Sequence, residues 1–145
     1  MDILVIAPVS AVVSLAVAVY LYFYVKGKDA GTPKMKEVSD AIKIGANAYL
    51  KRQNTTLGIF VVIVAVILGL AFHSVHIGIA YVFGALVTTI ASFFGMNAAV
   101  RANVRAANAA RKGLNAAFPV AFYGGAVMGL SIVGMALLGL SILFY

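Results

Sequence analysis

The acidic side chains are the first candidates for chemistry in this chain, and there are four: Asp2, Asp29, Glu37 and Asp40. Phosphoryl chemistry assisted by Mg²⁺ needs several carboxylates that converge on one point. Glu37 and Asp40 are three residues apart and would share one face of a helix. Two surface carboxylates among lysines are more simply solvated charges. We therefore predict no catalytic, cofactor-binding or metal-binding residue in this chain.

Two histidines, His73 and His76, are the other titratable pair with close spacing. A metal site needs further ligands, but the chain has no cysteine and no carboxylate lies near them in sequence. We interpret the pair as part of a turn at a membrane interface. The sequence also lacks a glycine-rich phosphate loop of the Walker type.

Most of the chain consists of apolar segments, and these segments would position the acidic residues and the histidines. Hydrophobic residues make up 63% of the chain, and the mean hydropathy is +1.05. About 20 residues are needed to cross the hydrocarbon core of a bilayer. The apolar runs predict transmembrane helices at about 3–25, 55–72, 77–100 and 117–145. We predict an all-α integral membrane fold with one domain of four transmembrane helices.

The basic residues lie in two connecting segments, at 26–54 and 101–116. They are Lys26, Lys28, Lys34, Lys36, Lys43, Lys51, Arg52, Arg101, Arg105, Arg111 and Lys112. Cytoplasmic loops of membrane proteins are enriched in Lys and Arg. This pattern predicts that both segments are cytoplasmic and that the N-terminus and Tyr145 lie outside. The net charge of +7 then favours anionic lipid over nucleic acid, because no basic soluble domain is present.

Both connecting segments show helical patterns. Thr32-Pro33 is typical of a helix N-terminus, and apolar residues recur after it at helical spacing. This amphipathic cytoplasmic helix either lies on the membrane surface or runs straight into the second span. We expect the third helix to continue past the membrane and to stop at Gly113.

Small residues form seams along the spans. The third helix carries Gly84, Thr88, Ala91 and Gly95 on one face, and the fourth carries Gly125, Gly129, Ala136 and Gly139. Small residues let helix backbones approach closely in lipid. A pore or a substrate groove lined by small residues is the alternative. We favour packing against other helices, because almost no polar group lies on the seams.

A basic stripe, defined as Arg101, Arg105 and Lys112, lies on the extension of the third helix together with Asn97 and Asn108. One interpretation is a solvated face that contacts lipid phosphate. The other is a docking surface for a partner domain or an anionic substrate. The spacing of these residues does not separate the two.

Three ordered stretches resemble membrane-bound inorganic pyrophosphatases. The first is GTPKMKEVSDAI at 31–42 with GANAYLKRQ at 45–53. The second comprises GMN at 95–97, RANVR at 101–105 and AAR at 109–111. The third is GGAVMGLS at 124–131.

The resemblance implies the N-terminal, outer-ring portion of a pump that couples pyrophosphate hydrolysis to H⁺ or Na⁺ transport. It implies Mg²⁺, with K⁺ as a further candidate, for the whole pump. The implied partners are the remaining helices, a second subunit in a homodimer, and membrane lipid. The aspartate-rich motifs of the family have no counterpart here, so no catalytic residue is carried over. The alternative is a stand-alone four-helix membrane subunit that binds partners or lipid without chemistry.

Overall fold

The computed structural model describes residues 3–144, so the expectations for Asp2 and Tyr145 concern residues outside this range. Within it the chain forms four helices: α1 (Ile3–Lys26), α2 (Pro33–Ala71), α3 (Val75–Ala110) and α4 (Leu114–Phe144). No strand occurs between residues 3 and 144. All four helices are long and apolar enough to span a membrane. The predicted all-α class with four candidate spans is therefore confirmed.

The second helix is continuous from Pro33 to Ala71, so the amphipathic segment runs directly into the second span. Thr32 is the N-cap: its Oγ1 accepts a hydrogen bond from the Met35 N–H, and Pro33 occupies the first helical position. At 1.5 Å per residue, 39 residues extend about 58 Å, well beyond a hydrocarbon core about 30 Å thick. The predicted connecting segment at 26–54 is thus mostly helix.

The remaining connections are tight turns. His73 adopts a left-handed conformation with φ of 49°, and the Ser74 N–H donates to the Gly69 carbonyl at 3.1 Å, which closes the end of α2. α3 ends at Ala110, and Gly113 has φ of 109°, a conformation that L side chains rarely adopt. The chain therefore reverses direction within a few residues at both places.

The helices pack through small side chains. α4 packs against both α1 and α3, whereas α2 packs against α3 alone. Buried apolar residues are mostly alanine and valine, and one cluster joins Val25 of α1, Ala102 of α3 and Val120 of α4. Many large apolar side chains face outward, as expected for helices surrounded by lipid or by further helices.

Candidate interaction site

Arg105, about one turn before the end of α3, makes three side-chain hydrogen bonds. Its Nε donates hydrogen bonds to the carbonyl oxygens of Lys26, at 3.3 Å, and Lys28, at 3.0 Å. Its Nη1 donates to the carbonyl of Arg101 at 2.9 Å. Arg105 thus satisfies the carbonyl of Lys26 at the C-terminal end of α1, where helix carbonyls lack partners of their own, and the carbonyl of Lys28 in the loop that follows.

Asp29 and Asn108 form the second half of this contact. Asn108 Nδ2 donates to the Asp29 carbonyl oxygen and to Oδ2, each at 3.2 Å. Asp29 Oδ1 accepts the Gly31 N–H at 2.9 Å, and Gly31 has a positive φ of 83°. We call Arg105, Asn108, Asp29 and Gly31 the loop clamp, because they hold the α1–α2 loop against α3.

The electrostatics of the loop clamp stabilise the charged form of Asp29. The hydrogen bond from the Gly31 N–H lowers the pKa of Asp29, and the loss of hydration opposes this effect more weakly. The Asn108 side chain and the charges of Lys36 and Lys112 lower the pKa further. The carboxylate is therefore a structural anion held by surrounding donors and cations.

Aromatic contacts extend this junction from α1 to α4. The rings of Tyr24 and Tyr123 meet edge to face with centroids 5.3 Å apart, and Lys28 Nζ lies 4.2 Å from the Tyr24 ring centroid. The ends of α1 and α3 and the start of α4 thus meet here. We call this part of the molecule the basic end, because both basic segments reach it.

The basic stripe divides into residues with different surroundings. Arg105 binds the loop, Arg101 is half-buried, and Lys112 is exposed in the turn after α3. Neither interpretation drawn from the spacing anticipated that Arg105 would bind this chain's own backbone. Sequence reasoning also missed Asp29, although an Asp two residues before a Gly is a known turn signal.

The predicted seam of α3 is only partly in contact with the other helices described here. Ala91 is buried, and a Cβ on Gly95 would stand 2.7 Å from Met128 Cγ of α4. Gly84 has no neighbour within 4 Å of such a Cβ position, and Thr88 is exposed, with its hydroxyl donating to the Gly84 carbonyl. Within this predicted seam, the close contacts therefore lie in the half of α3 nearer the basic end.

The predicted seam of α4 mostly faces away from the other described helices. Gly125 and Gly129 have open space where a Cβ would stand, and Ala136 is exposed. A Cβ on Gly139 would make ordinary van der Waals contact with Val87 Cγ1, at 3.5 Å. Packing of this face against further helices remains a prediction.

Two other glycines make the close approaches of α4. A Cβ on Gly124 would overlap the Ala102 Cβ, and one on Gly134 would stand 2.8 Å from Leu15 Cγ of α1. The buried face of α4 includes Gly124, Val127, Ser131 and Gly134, and these residues also recur at helical spacing. That pattern was visible in the sequence beside the GxxxG pair of Gly125 and Gly129.

The other candidates for chemistry remain apart. Lys34 Nζ donates to Glu37 Oε2 at 3.0 Å, in a pair whose side chains are both well exposed. His73 is exposed in its turn, and His76 is exposed in the first turn of α3. Within residues 3–144 no group of three or more His, Asp or Glu residues is placed to hold a metal ion. The geometry supports helix contacts and a clamped loop as the main features of the described chain.

Comparison with known proteins gives a consistent match. The family model for inorganic H⁺ pyrophosphatase matches residues 12–145. The chain is 40% identical over its full length to the K(+)-insensitive pyrophosphate-energized proton pump 2 of Moorella thermoacetica. It is 41% identical over 95% of its length to the K(+)-insensitive pyrophosphate-energized proton pump of Methanosarcina mazei. The chain is 42% identical over 94% of its length to a Clostridium tetani protein with the name "Putative K(+)-stimulated pyrophosphate-energized sodium pump".

The chain spans about a fifth of the length of these relatives, between 20% and 21%. The match begins within α1 and runs through all the later helices and the loop clamp. Four apolar helices and relatives that are ion pumps make this an integral membrane protein. Because the family model covers almost the whole sequence, the chain belongs to the inorganic H⁺ pyrophosphatase family.

Proposed function

We propose that this chain is the N-terminal scaffold portion of a pyrophosphate-energised ion pump, outside the reaction site. Family membership and the small share of each relative that the chain spans support this assignment. The observation that carries the scaffold role is the loop clamp. It uses Asp29 to hold a loop, while Glu37 pairs with Lys34 on an exposed surface. These carboxylates serve the local framework of the chain.

The whole pump would hydrolyse pyrophosphate with Mg²⁺ and move H⁺ or Na⁺. The relatives include K⁺-insensitive proton pumps and one named as a K⁺-stimulated sodium pump, so K⁺ would be a cofactor in part of the family. We propose that the partners of this chain are the remaining helices of the pump, a second subunit in a homodimer, and membrane lipid. The outward apolar faces of the helices support contacts of this kind.

The basic end is proposed to face the cytoplasm, with the N-terminus outside. Arg105 of the second basic segment binds carbonyls of Lys26 and Lys28 in the first, which supports one membrane face for both. The excess of Lys and Arg supports the cytoplasmic face.

Cysteine labelling tests this orientation, because the chain has no native cysteine. Ser39→Cys lies near the basic end of α2, and Ser74→Cys lies in the α2–α3 turn, where the Ser74 side chain makes no cap hydrogen bond. With an impermeant maleimide on intact cells, we expect labelling at position 74 and protection at position 39 until the cells are permeabilised. The reverse pattern would overturn the orientation.

A hydrolysis assay tests the proposal that this chain alone does not hydrolyse pyrophosphate. We expect the purified chain in bilayers with Mg²⁺ and pyrophosphate to release phosphate no faster than a heat-denatured sample. Catalysis would need a converging carboxylate cluster, and Glu37 and Asp40 are too few to form one. Turnover above the control that Glu37→Gln or Asp40→Asn abolishes would refute the scaffold assignment.

A further inference from the structure

A groove of about 480 Å³ runs between α1, α3 and α4, beside the basic end. Its walls are largely apolar, with Leu15 and Val19 from α1, Phe93 and Phe94 from α3, and Met135 from α4. Four polar side chains, Tyr22, Asn97, Arg101 and Ser131, also line it. The first three lie toward the basic end, whereas Ser131 is buried among the apolar walls that extend away from it. The groove is therefore more polar near the basic end than away from it.

Arg101 is the unusual member of this lining. Its Nε is buried, and it is the one buried side-chain nitrogen or oxygen in the described part of the chain that has no hydrogen-bond partner. Arg105, one turn further along α3, has carbonyl acceptors for its own Nε. A buried charged donor without an acceptor is costly, because it has lost water and gained nothing. Arg101 is therefore short of an anionic or carbonyl acceptor.

The position of Arg101 indicates where such an acceptor would stand. Four residues of helix rise about 6 Å, so Arg101 lies about one turn deeper than Arg105 and the end of α1. Phe94 lies seven residues before Arg101, or about 10 Å further from the basic end. A ligand that fits both ends needs a negative group at the level of Arg101 and an apolar chain that reaches Phe94.

We propose that this groove binds one phospholipid with an anionic headgroup. Its phosphate would accept hydrogen bonds from the Arg101 guanidinium, which turns toward it, and one acyl chain would lie along Leu15, Val19 and Phe94. Charge complementarity supports this occupant, since arginine pairs well with phosphate and the chain carries a net charge of +7. Bilayer lipids also present charge and chain in the order that the groove presents them.

A fluorescence experiment tests this proposal directly. The chain has no tryptophan, so Phe94→Trp places a single reporter in the groove wall. The reporter protein is reconstituted in two samples of phosphatidylcholine nanodiscs. One contains a minor fraction of brominated phosphatidylglycerol, and the other contains the same fraction of brominated phosphatidylcholine. We expect much stronger quenching by the brominated phosphatidylglycerol.

Arginine variants then test whether Arg101 causes the preference for phosphatidylglycerol. We expect Arg101→Gln on the reporter background to lower the preference for phosphatidylglycerol by about tenfold, as for the loss of one charge-assisted hydrogen bond. Arg111→Gln is the matched control, because Arg111 is exposed and outside the groove, and it should keep the preference. Equal quenching by both lipids in the reporter protein, or a preference that survives Arg101→Gln, would overturn the proposal.

Two further arms separate the lipid from other occupants. Val19→Phe fills the groove while leaving Arg101 intact, so it should also reduce the preference for phosphatidylglycerol. If circular dichroism shows that Arg101→Gln has lost helix, the Val19→Phe variant tests the proposal in its place. Added inorganic phosphate should leave the quenching unchanged. Displacement by inorganic phosphate would assign the site to a free anion. A reporter that neither brominated lipid quenches would mean that protein covers the groove, and either result would refute the proposal.

Discussion

At the residue scale, the clearest contrast lies between the neighbours Gly124 and Gly125. Successive residues of a helix point about 100° apart, so only one of the two faces α3. A side chain at Gly124 would overlap Ala102, whereas one at Gly125 would meet open space. The sequence shows that both positions are small, but it does not show which face of α4 meets which helix. That information arises only when α1 and α3 are placed around α4.

The first prediction compares these two glycines in the isolated chain. Gly124→Ala should destabilise the helical bundle by about 1–3 kcal/mol, because the added methyl group forces α3 and α4 apart. Gly125→Ala should have little effect, since nothing lies near its side. Thermal unfolding in detergent measures both variants. Equal stability of the two would contradict the packing register described for α4.

The second prediction concerns the charge on Asp29. Its pKa in the folded chain is lowered by the Gly31 N–H, then by Asn108, Lys36 and Lys112. A lowered folded-state pKa gives a stabilising effect that is present above the unfolded-state pKa and is lost as the pH falls through the folded-state value. Hydrogen exchange at Gly31, corrected for intrinsic rates, should therefore lose protection in acid. Asp29→Asn should remove this pH dependence, and an unchanged profile in that variant would contradict it.

At the element scale, α2 shows what the sequence predicted and what it left open. Thr32-Pro33 correctly marked the start of the helix, because a capping hydroxyl and a proline at the first position have local causes. The sequence left open whether the amphipathic half lay on the membrane or joined the second span, because both arrangements share the same helical pattern. In the structure Val38 and Ile42 lie across a groove from Val100 and Val104.

The third prediction concerns the start of α2. Thr32→Val removes the hydroxyl that accepts the Met35 N–H and should weaken the first turn by about 1 kcal/mol. Thr32→Ser keeps the hydroxyl and is the matched control. Amide hydrogen exchange at Met35 reports the difference, with faster exchange in the valine variant. The same rate in both variants would mean that the cap does not stabilise the helix end.

At the scale of the whole molecule, the described helices leave much apolar surface open. The span of α2 is hardly buried, and the face of α4 that carries Gly125, Gly129 and Ala136 meets no other described helix. The sequence predicted four spans because hydropathy and length suffice for that. Hydropathy does not distinguish a face that meets lipid from a face that meets another helix, because both contacts are apolar.

The fourth prediction tests that open face in a full-length pump that contains this segment. Gly129→Leu should lower thermal stability and pyrophosphatase activity if another backbone packs against Gly129. Leu130→Ile is the control, since it keeps both size and apolar character at the next position. If the Gly129→Leu variant has the same thermal stability and pyrophosphatase activity as wild type, this face contacts lipid.

We propose that this chain is a scaffold portion of the pump, without a reaction site of its own. Split reconstitution tests it most directly: the chain is expressed with a Moorella thermoacetica pump from which the matching segment has been deleted. We expect Mg²⁺-dependent pyrophosphate hydrolysis only in membranes that contain both pieces. Three results would contradict the proposal. The two pieces together could be inactive, the pump lacking the segment could hydrolyse pyrophosphate equally well without the chain, or the chain alone could hydrolyse it.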